Sequence, residues 1–419
     1  MASAGGLVLF VVLSVCGAAA AERKLVYVTV LFRHGDRSPV KAFPTDPHQE
    51  SAWPQGFGQL SQIGMRQHFE LGQFLRNRYK GFLNETYNRH EISVRSTDYD
   101  RTLMSAEANL AGLYPPSGQQ VFNPNLKWQP IPIHTVPQSQ ERLLAFPLGD
   151  CPRYNQLMIE TEHSEEFINI TIKYQDILEL VGNKTGLNKT NVETVWSLYD
   201  TLFCESAHNM SAPDWATPDV MQRLGVLKDF GTQVIFGVYK QREKSRLQGG
   251  ILLGEIVKNL SKMAVPDPKE QLKMMMLSAH DTTVIALQSS LDVFNNQQPP
   301  YACCQIFELY REDNGSASVS MFYRNDSTVD PYPLQLPGCS LDCPLEDFVR
   351  ITKPSISDDR DKECGMPSKG AEVIISLVVS SCLLLFLILL ILGIICCQKS
   401  PNSTHGYHHV INQEGGEES

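Results

Sequence analysis

Residues 25–39 read LVYVTVLFRHGDRSP: a near-continuous apolar and β-branched run from 25 to 32, then Arg33-His34-Gly35-Asp36-Arg37-Ser38-Pro39. Such a run is the pattern of a strand buried on both faces of a parallel sheet, and the glycine and proline that follow break the chain. The same event recurs twice. A strand-like segment at 91–94 leads into Arg95-Ser96-Thr97-Asp98, and a helix is expected over 102–113; residues 273–277 lead into Ser278-Ala279-His280-Asp281, and a helix is expected over 282–294. Between the first two strands, Ser61 can cap a helix whose apolar residues Met65, Phe69, Leu75 and Tyr79 recur at helical spacing and read as core. Three strands therefore end at titratable or cationic residues and three helices begin there. In open α/β sheets ligands collect outside the carboxyl ends of the strands, where helix N-termini offer N–H groups to an anion. The fold class is α/β: a mostly parallel sheet flanked by helices.

Those residue types point to phosphate. Arg33 and Arg37 flank His34 within five residues, beside a glycine that lets the backbone approach a ligand. Guanidinium forks match phosphoryl oxygens bidentately and offset their charge. A neutral imidazole can attack phosphorus and carry a covalent intermediate, whereas the bland reading of the cluster is a surface ion-pair network around a structural histidine. Arg95 at the second strand end is a candidate third clamp; Arg101, inside the expected helix start, could instead pair with Asp98 or Asp100. His280 and Asp281 supply a second imidazole and a carboxyl able to protonate a leaving alkoxide.

The chain has 419 residues and a formal net charge of -10, which disfavours nucleic acid as a partner and confines phosphate recognition to a local site. Residues 1–20 read as a signal peptide, with an apolar run at 7–15 and small residues before a cleavage point; a short uncleaved anchor is the alternative. Residues 373–397 are apolar and small throughout, enough to cross a hydrocarbon core of about 30 Å. Together they imply a single-pass type I membrane protein with a lumenal part, a polar stalk at 354–372 and a cytoplasmic tail at 398–419. N-x-S/T sequons precede the span at Asn84, Asn169, Asn183, Asn188, Asn209, Asn259, Asn314 and Asn325; the one at Asn402 falls in the tail. Five of them lie in 151–260, a stretch with helical-looking segments that reads as a mostly α-helical lobe inserted between the first part of the α/β core (21–150) and the second (261–353). Seven cysteines lie between signal and span, Cys151, Cys204, Cys303, Cys304, Cys339, Cys343 and Cys364. In an oxidising lumen these read as disulfides with one thiol left over. Cys339 and Cys343 could close a small ring, and the other pairings stay open. No Cys or His pair has zinc-finger spacing.

Arg33-His34-Gly35-Asp36-Arg37-Ser38-Pro39 resembles the RHGxRxP signature of the histidine acid phosphatases. Ser278-Ala279-His280-Asp281 resembles that family's second signature, and Val94-Arg95-Ser96-Thr97-Asp98 the segment carrying an additional phosphate-binding arginine. The resemblance runs through nearly all of the lumenal chain, including WPQGFGQL at 53–60 and GGIL at 249–252, which look like the branch of prostatic and lysosomal acid phosphatases. It implies a phosphoglycerate mutase-like core with a helical insert and the hydrolysis of phosphate monoesters in acid. His34 would be the phosphorylated nucleophile, Asp281 the proton donor, and Arg33, Arg37, Arg95 and His280 the phosphate-binding residues. It further implies no metal and no cofactor, a homodimer, and disulfides pairing Cys151 with Cys364, Cys204 with Cys304 and Cys339 with Cys343, with Cys303 left as the odd thiol. In the tail, Gly406-Tyr407-His408-His409-Val410 resembles the tyrosine-based sorting signal of the lysosomal members, with Tyr407 and Val410 its adaptor-binding residues; such members cycle through the plasma membrane before proteolysis releases the enzyme in the lysosome. Two rival readings are a catalytically silent membrane glycoprotein, which would be expected to have lost one of these residues, and a phytase, which would want a more basic pocket.

Overall fold

A computed structural model describes residues 23–146, 151–366 and 369–398. The signal peptide and the sorting residues Tyr407 and Val410 lie outside the described residues. The chain divides into two units between Gly365 and Met366. In chain order the first contains β1 (Lys24–Arg33), α1 (Gln62–Arg78), β2 (Ile92–Ser96), α2 (Asp100–Leu113), α3 (Pro152–Glu162), α4 (Glu165–Lys173), α5 (Gln175–Thr185), α6 (Val192–Ala207), α7 (Pro218–Phe236) and α8 (Gln241–Ala264). It continues with β3 (Met274–Ala279), α9 (Asp281–Ser290), β4 (Cys304–Arg311), β5 (Ala317–Arg324), β6 (Tyr332–Leu334), β7 (Asp342–Pro344), α10 (Leu345–Thr352) and α11 (Arg360–Glu363).

The sheet runs β2-β3-β1-β4-β5-β6, with β7 also on β5. Only β2–β3 and β3–β1 are parallel; β1–β4, β4–β5, β5–β6 and β5–β7 are antiparallel, so the sheet is mixed rather than mostly parallel. The reason lies in connection length. The β1, β2 and β3 ends are joined through helices, whereas β4 and β5 are joined by a short turn at Gly315, which permits only antiparallel pairing.

Strand β1 is the axis of the core, buried without a break from residue 27 to 33. Its alternation feeds two layers. Val28, Val30 and Phe32 pack with Leu71 and Leu75 of α1 and Leu110 and Leu113 of α2, while Tyr27 and Leu31 pack with Leu252, Leu253 and Ile256 of α8 and Val284 and Leu287 of α9. Each such side chain contributes about 1.5–3 kcal/mol through burial. Ser61 caps α1 by accepting the Gly64 N–H, as expected, but the buried stripe is Gly64, His68, Leu71, Gly72 and Leu75, and Phe69 faces outward. The glycines explain the offset. A Cβ on Gly72 would lie 1.9 Å from the Asn109 carbonyl oxygen, and one on Gly112 2.1 Å from that of Phe69, so α1 and α2 meet backbone to backbone.

Helices α4 to α7 form a separate apolar cluster around Val181, Val195, Leu198, Leu224 and Leu227. The insert boundary expected at 260 falls inside α8, whose Leu252 to Met263 face belongs to the sheet layer, so α8 is core rather than insert. In α6, Glu205 lies against Asp46, both buried. Burial first, and the Asp46 carboxylate second, raise Glu205 well above its ordinary 4.5. A raised carboxyl binds its proton more tightly folded than unfolded, so it contributes stability in acid that is lost as pH rises through its folded value. Glu205→Gln should therefore flatten the fall in melting temperature between about pH 5 and about pH 8, where each kcal/mol is worth roughly 2–4 °C. Equal slopes for the two proteins would refute the assignment.

Cys151 is joined to Cys364, and Cys339 to Cys343. The expected Cys204–Cys304 bond is not formed: both are buried free thiols, as is Cys303. The Cys204 Sγ lies on the insert side, 3.6 Å from Arg37 and 3.5 Å from the Tyr301 hydroxyl, whereas Cys304 packs in the α1/α2 layer and its neighbour Cys303 on the opposite face. Six of the sequon asparagines are exposed; Asn259 and Asn325 are half-buried.

The second unit is one helix, α12 (Lys369–Gln398). Its Ile374–Cys396 stretch spans 23 residues, and at about 1.5 Å per residue that is long enough to cross a hydrocarbon core of about 30 Å. It is the one helix among the described residues that is long and apolar enough to do so.

Candidate active site

The first signature is held by its neighbours on all sides. Arg33 N–H donates to the Cys303 carbonyl (3.1 Å), His34 N–H to that of Ala279 (3.0 Å) at the end of β3, and Ala302 N–H to that of His34 (3.2 Å). Gly35 is required by close approach: a Cβ there would lie 2.5–2.8 Å from the backbone of Gly64, and one on Gly64 would lie 2.2 Å from the Asp36 carbonyl oxygen. The first turn of α1 thus abuts the loop. Asp36 is fixed by the Ser61 hydroxyl and by His208 Nε2–H (2.8 Å) from the insert, and its own N–H donates to Gln67 (2.8 Å). Behind it, His68 Nε2–H donates to the Arg33 carbonyl (3.0 Å).

His34 is 2% exposed, and its Nδ1 lies 2.9 Å from the Gly35 carbonyl oxygen. A carbonyl only accepts, so Nδ1 carries the hydrogen and, in the neutral ring, Nε2 keeps its lone pair. The ring is held neutral: burial first, then the charges of Arg33, Arg37, Arg101 and His280, drive its pKa well below the usual imidazole range. An unprotonated nitrogen among guanidiniums is what attack on an anionic phosphoryl group needs.

Three arginines converge on it. Arg33 lies over the Tyr301 ring at 4.2 Å, donates to the Pro299 carbonyl (2.6 Å) and pairs with Asp281 (2.9 Å). Arg37 is gripped from the insert by Asp200 through both Nη atoms (3.0 and 3.1 Å). The third is Arg101, and here the sequence expectation is corrected. Arg95 turns to Glu141, bonding both carboxylate oxygens at 2.9 and 3.1 Å. Arg101 pairs with neither Asp98 nor Asp100; it lies over the Tyr99 ring at 4.8 Å and forms no salt bridge among the described residues. Burial first, then Arg37 and Arg33 acting against the pull of Asp281, lower its pKa to about 10, so its charge faces the same crevice as the other two. The Nε atoms of Arg33, Arg37 and Arg101 are all buried without partners, as is that of Arg95.

The second signature meets the first across β3. The His280 and His34 rings stand edge to face at 5.7 Å. His280 Nε2 lies 3.0 Å from the Thr97 hydroxyl, which lies 2.9 Å from that of Thr102. Thr102 has two carbonyl acceptors, of Thr97 and Tyr99; its hydrogen goes to one of them, Thr97 donates to Thr102, and Thr97 accepts from His280 Nε2–H. Burial, then Arg101, lower His280 to about 3. Asp281, at the start of α9, is 6% exposed and accepts from Thr282 N–H (2.7 Å), Gln298 (2.8 Å) and Arg33. Burial alone would raise its pKa, but Arg33, Gln298, Arg37 and Thr282 N–H hold it at about 2. It is therefore held as a carboxylate.

The structure thus gathers Arg33, His34, Arg37, His280 and Asp281, leaves Arg95 outside, and adds Arg101, Asp200, Gln298 and Tyr301. Arg101 carried a sequence signal, its place in the first turn of a helix following a strand end. Asp200 and Gln298 carried none.

The model of the histidine phosphatase superfamily, branch 2, matches residues 24–324, and the chain belongs to that family. It is 55% identical over 395 residues to lysosomal acid phosphatase of Homo sapiens, covering 94% of this chain and 92% of that one. It is 50% identical over 356 residues to prostatic acid phosphatase of Bos taurus, covering 84% and 91%. Among solved structures, the apo form of Hafnia alvei phytase superposes with a TM-score of 0.62 at 20% identity, covering 84% of this chain and all of that one, and shares the fold.

Proposed function

We propose that this chain is a membrane-anchored acid phosphatase of the lysosomal type, hydrolysing phosphate monoesters through a phosphohistidine on His34. The observation that carries the reading is the buried His34 ring, its Nδ1 tied to the Gly35 carbonyl so that Nε2 keeps its lone pair, with the charges of Arg33, Arg37 and Arg101 acting on it. The phosphoryl group binds those three, and His280 once its Nε2–H turns from Thr97. Nε2 attacks phosphorus, the P–N bond forms, the P–O bond to the leaving group breaks, and the departing alkoxide takes a proton from Asp281. Water then attacks phosphorus, returns a proton to the Asp281 carboxylate and breaks the P–N bond, giving orthophosphate. Asp281 becomes an acid because an arriving phosphoryl dianion competes for Arg33, weakening the contact that holds the carboxylate ionised. Acid conditions favour that state further, which fits an acidic compartment.

Other calls rest on sequence and likeness. The apolar helix α12 and the lysosomal relatives support a type I anchor and a lysosomal destination, with adaptors reading Tyr407 and Val410. The exposed Val121, Phe122, Leu126 and Trp128, on one loop, offer an apolar surface for the homodimer. The eight lumenal sequons are assigned as glycan sites.

The test uses the full chain in detergent with a chelator present. A brief pulse of phosphate-labelled p-nitrophenyl phosphate is quenched in alkali and digested. The label should sit on the peptide containing His34, survive base and be lost in acid, as a phosphoramidate does. Turnover without any base-stable label would refute the intermediate.

A further inference from the structure

A cavity of about 470 Å³ opens beside Asp281, between the helical insert and α9. Its walls are apolar: Phe146, Phe167, Trp196, Val234, Phe236 and Ile285 line it, and Phe146 and Phe236 pack ring on ring at 4.7 Å. Asp281, Thr282 and Gln298 bring the chemistry to its wall, and Asn191 and Thr232 add two uncharged polar groups. Two exposed carboxylates, Glu162 and Glu193, also belong to the lining. A wall of this kind is poorly served by water, and the volume is that of a site for a small organic group.

We infer that this cavity takes the leaving group of the substrate, and that the enzyme therefore prefers phosphate monoesters of uncharged apolar alcohols over those whose leaving group is anionic. The inference rests on the phosphohistidine reading above, because that reading makes Asp281 the proton donor to the leaving oxygen. Asp281 itself lines the cavity, so an alkyl or aryl group attached to the oxygen it protonates would extend into it. Glu162 and Glu193 repel a second negative charge, which sets this site apart from one built for a polyphosphorylated substrate.

The experiment measures kcat/KM of the full chain in detergent for ethyl, butyl and hexyl phosphate, whose leaving alcohols have nearly equal acidity, and for 3-carboxypropyl phosphate. Burial of each methylene should raise kcat/KM about fourfold. The carboxylate ester should fall below butyl phosphate and recover in Glu162→Gln/Glu193→Gln. Trp196→Ala should flatten the chain-length series while competitive inhibition by inorganic phosphate, which reads the arginines and the fold, stays unchanged. Equal kcat/KM across the series would overturn the cavity assignment and leave the phosphatase reading standing. Failure to turn over any monoester, p-nitrophenyl phosphate included, would overturn the reading itself.

Discussion

His34→Ala is expected to lower kcat on p-nitrophenyl phosphate by roughly 10⁴-fold or more while leaving the protein folded and able to bind orthophosphate. The size of the loss follows from the absence of a substitute in the crevice. His280 is turned through Nε2 to Thr97. The Cys204 thiol, close to Arg37, is pushed up to about 12, by burial before anything else, and so is not a thiolate in acid. Retained binding follows because Arg33, Arg37 and Arg101 keep their own supports, Pro299 and Asp281, Asp200, and the Tyr99 ring. Phosphate inhibition or calorimetry, run beside the kinetic assay, separates the two outcomes. Residual turnover above about 1% of wild type, with phosphate binding intact, would remove His34 as the nucleophile.

The three strand-to-helix junctions were legible because each joins two strong local signals, a strand buried on both faces and a break followed by helical spacing. Burial of β1 from 27 to 33 is the physical content of that signal. The antiparallel half was not, because β4 carries buried polar residues that blur any pattern. The Gln305 side-chain oxygen accepts from Gln288, and Glu308 accepts from Arg78 and Tyr79, partners far away in sequence. The face of α1 was misread for a related reason: hydrophobic spacing points to Met65 and Phe69, but contact with α2 is made by glycines, which carry no such signal. The insert's contribution to the site, Asp200 on Arg37 and His208 on Asp36, depends on how the lobe docks. The choice between Arg95 and Arg101 had the same character. It depends on which side chain the β2-to-α2 turn aims into the crevice, and that is set by packing.

That choice supports the second large effect. Arg101→Ala should cut kcat/KM by about 10²–10³-fold, the usual cost of removing one charge-stabilising donor from a preorganised site, and should weaken phosphate inhibition. It should not destabilise the fold. Arg101 forms no salt bridge among the described residues, and burial together with Arg37 and Arg33 works against its charge. Its removal relieves that repulsion, so the melting temperature should hold or rise. Arg95→Ala should do the reverse. Glu141 is 5% exposed and, among the described residues, would keep the N–H groups of Leu143 and Leu144. A buried carboxylate stripped of its cation costs about 1–3 kcal/mol or more, with kcat/KM changing little once the fold is maintained. The pair of variants separates binding chemistry from scaffolding: phosphate affinity should fall in Arg101→Ala alone, and melting temperature in Arg95→Ala alone. If Arg95→Ala instead abolished phosphate binding in a protein of normal stability, the third clamp would be Arg95 and the aim of the β2-to-α2 turn would have to be redrawn.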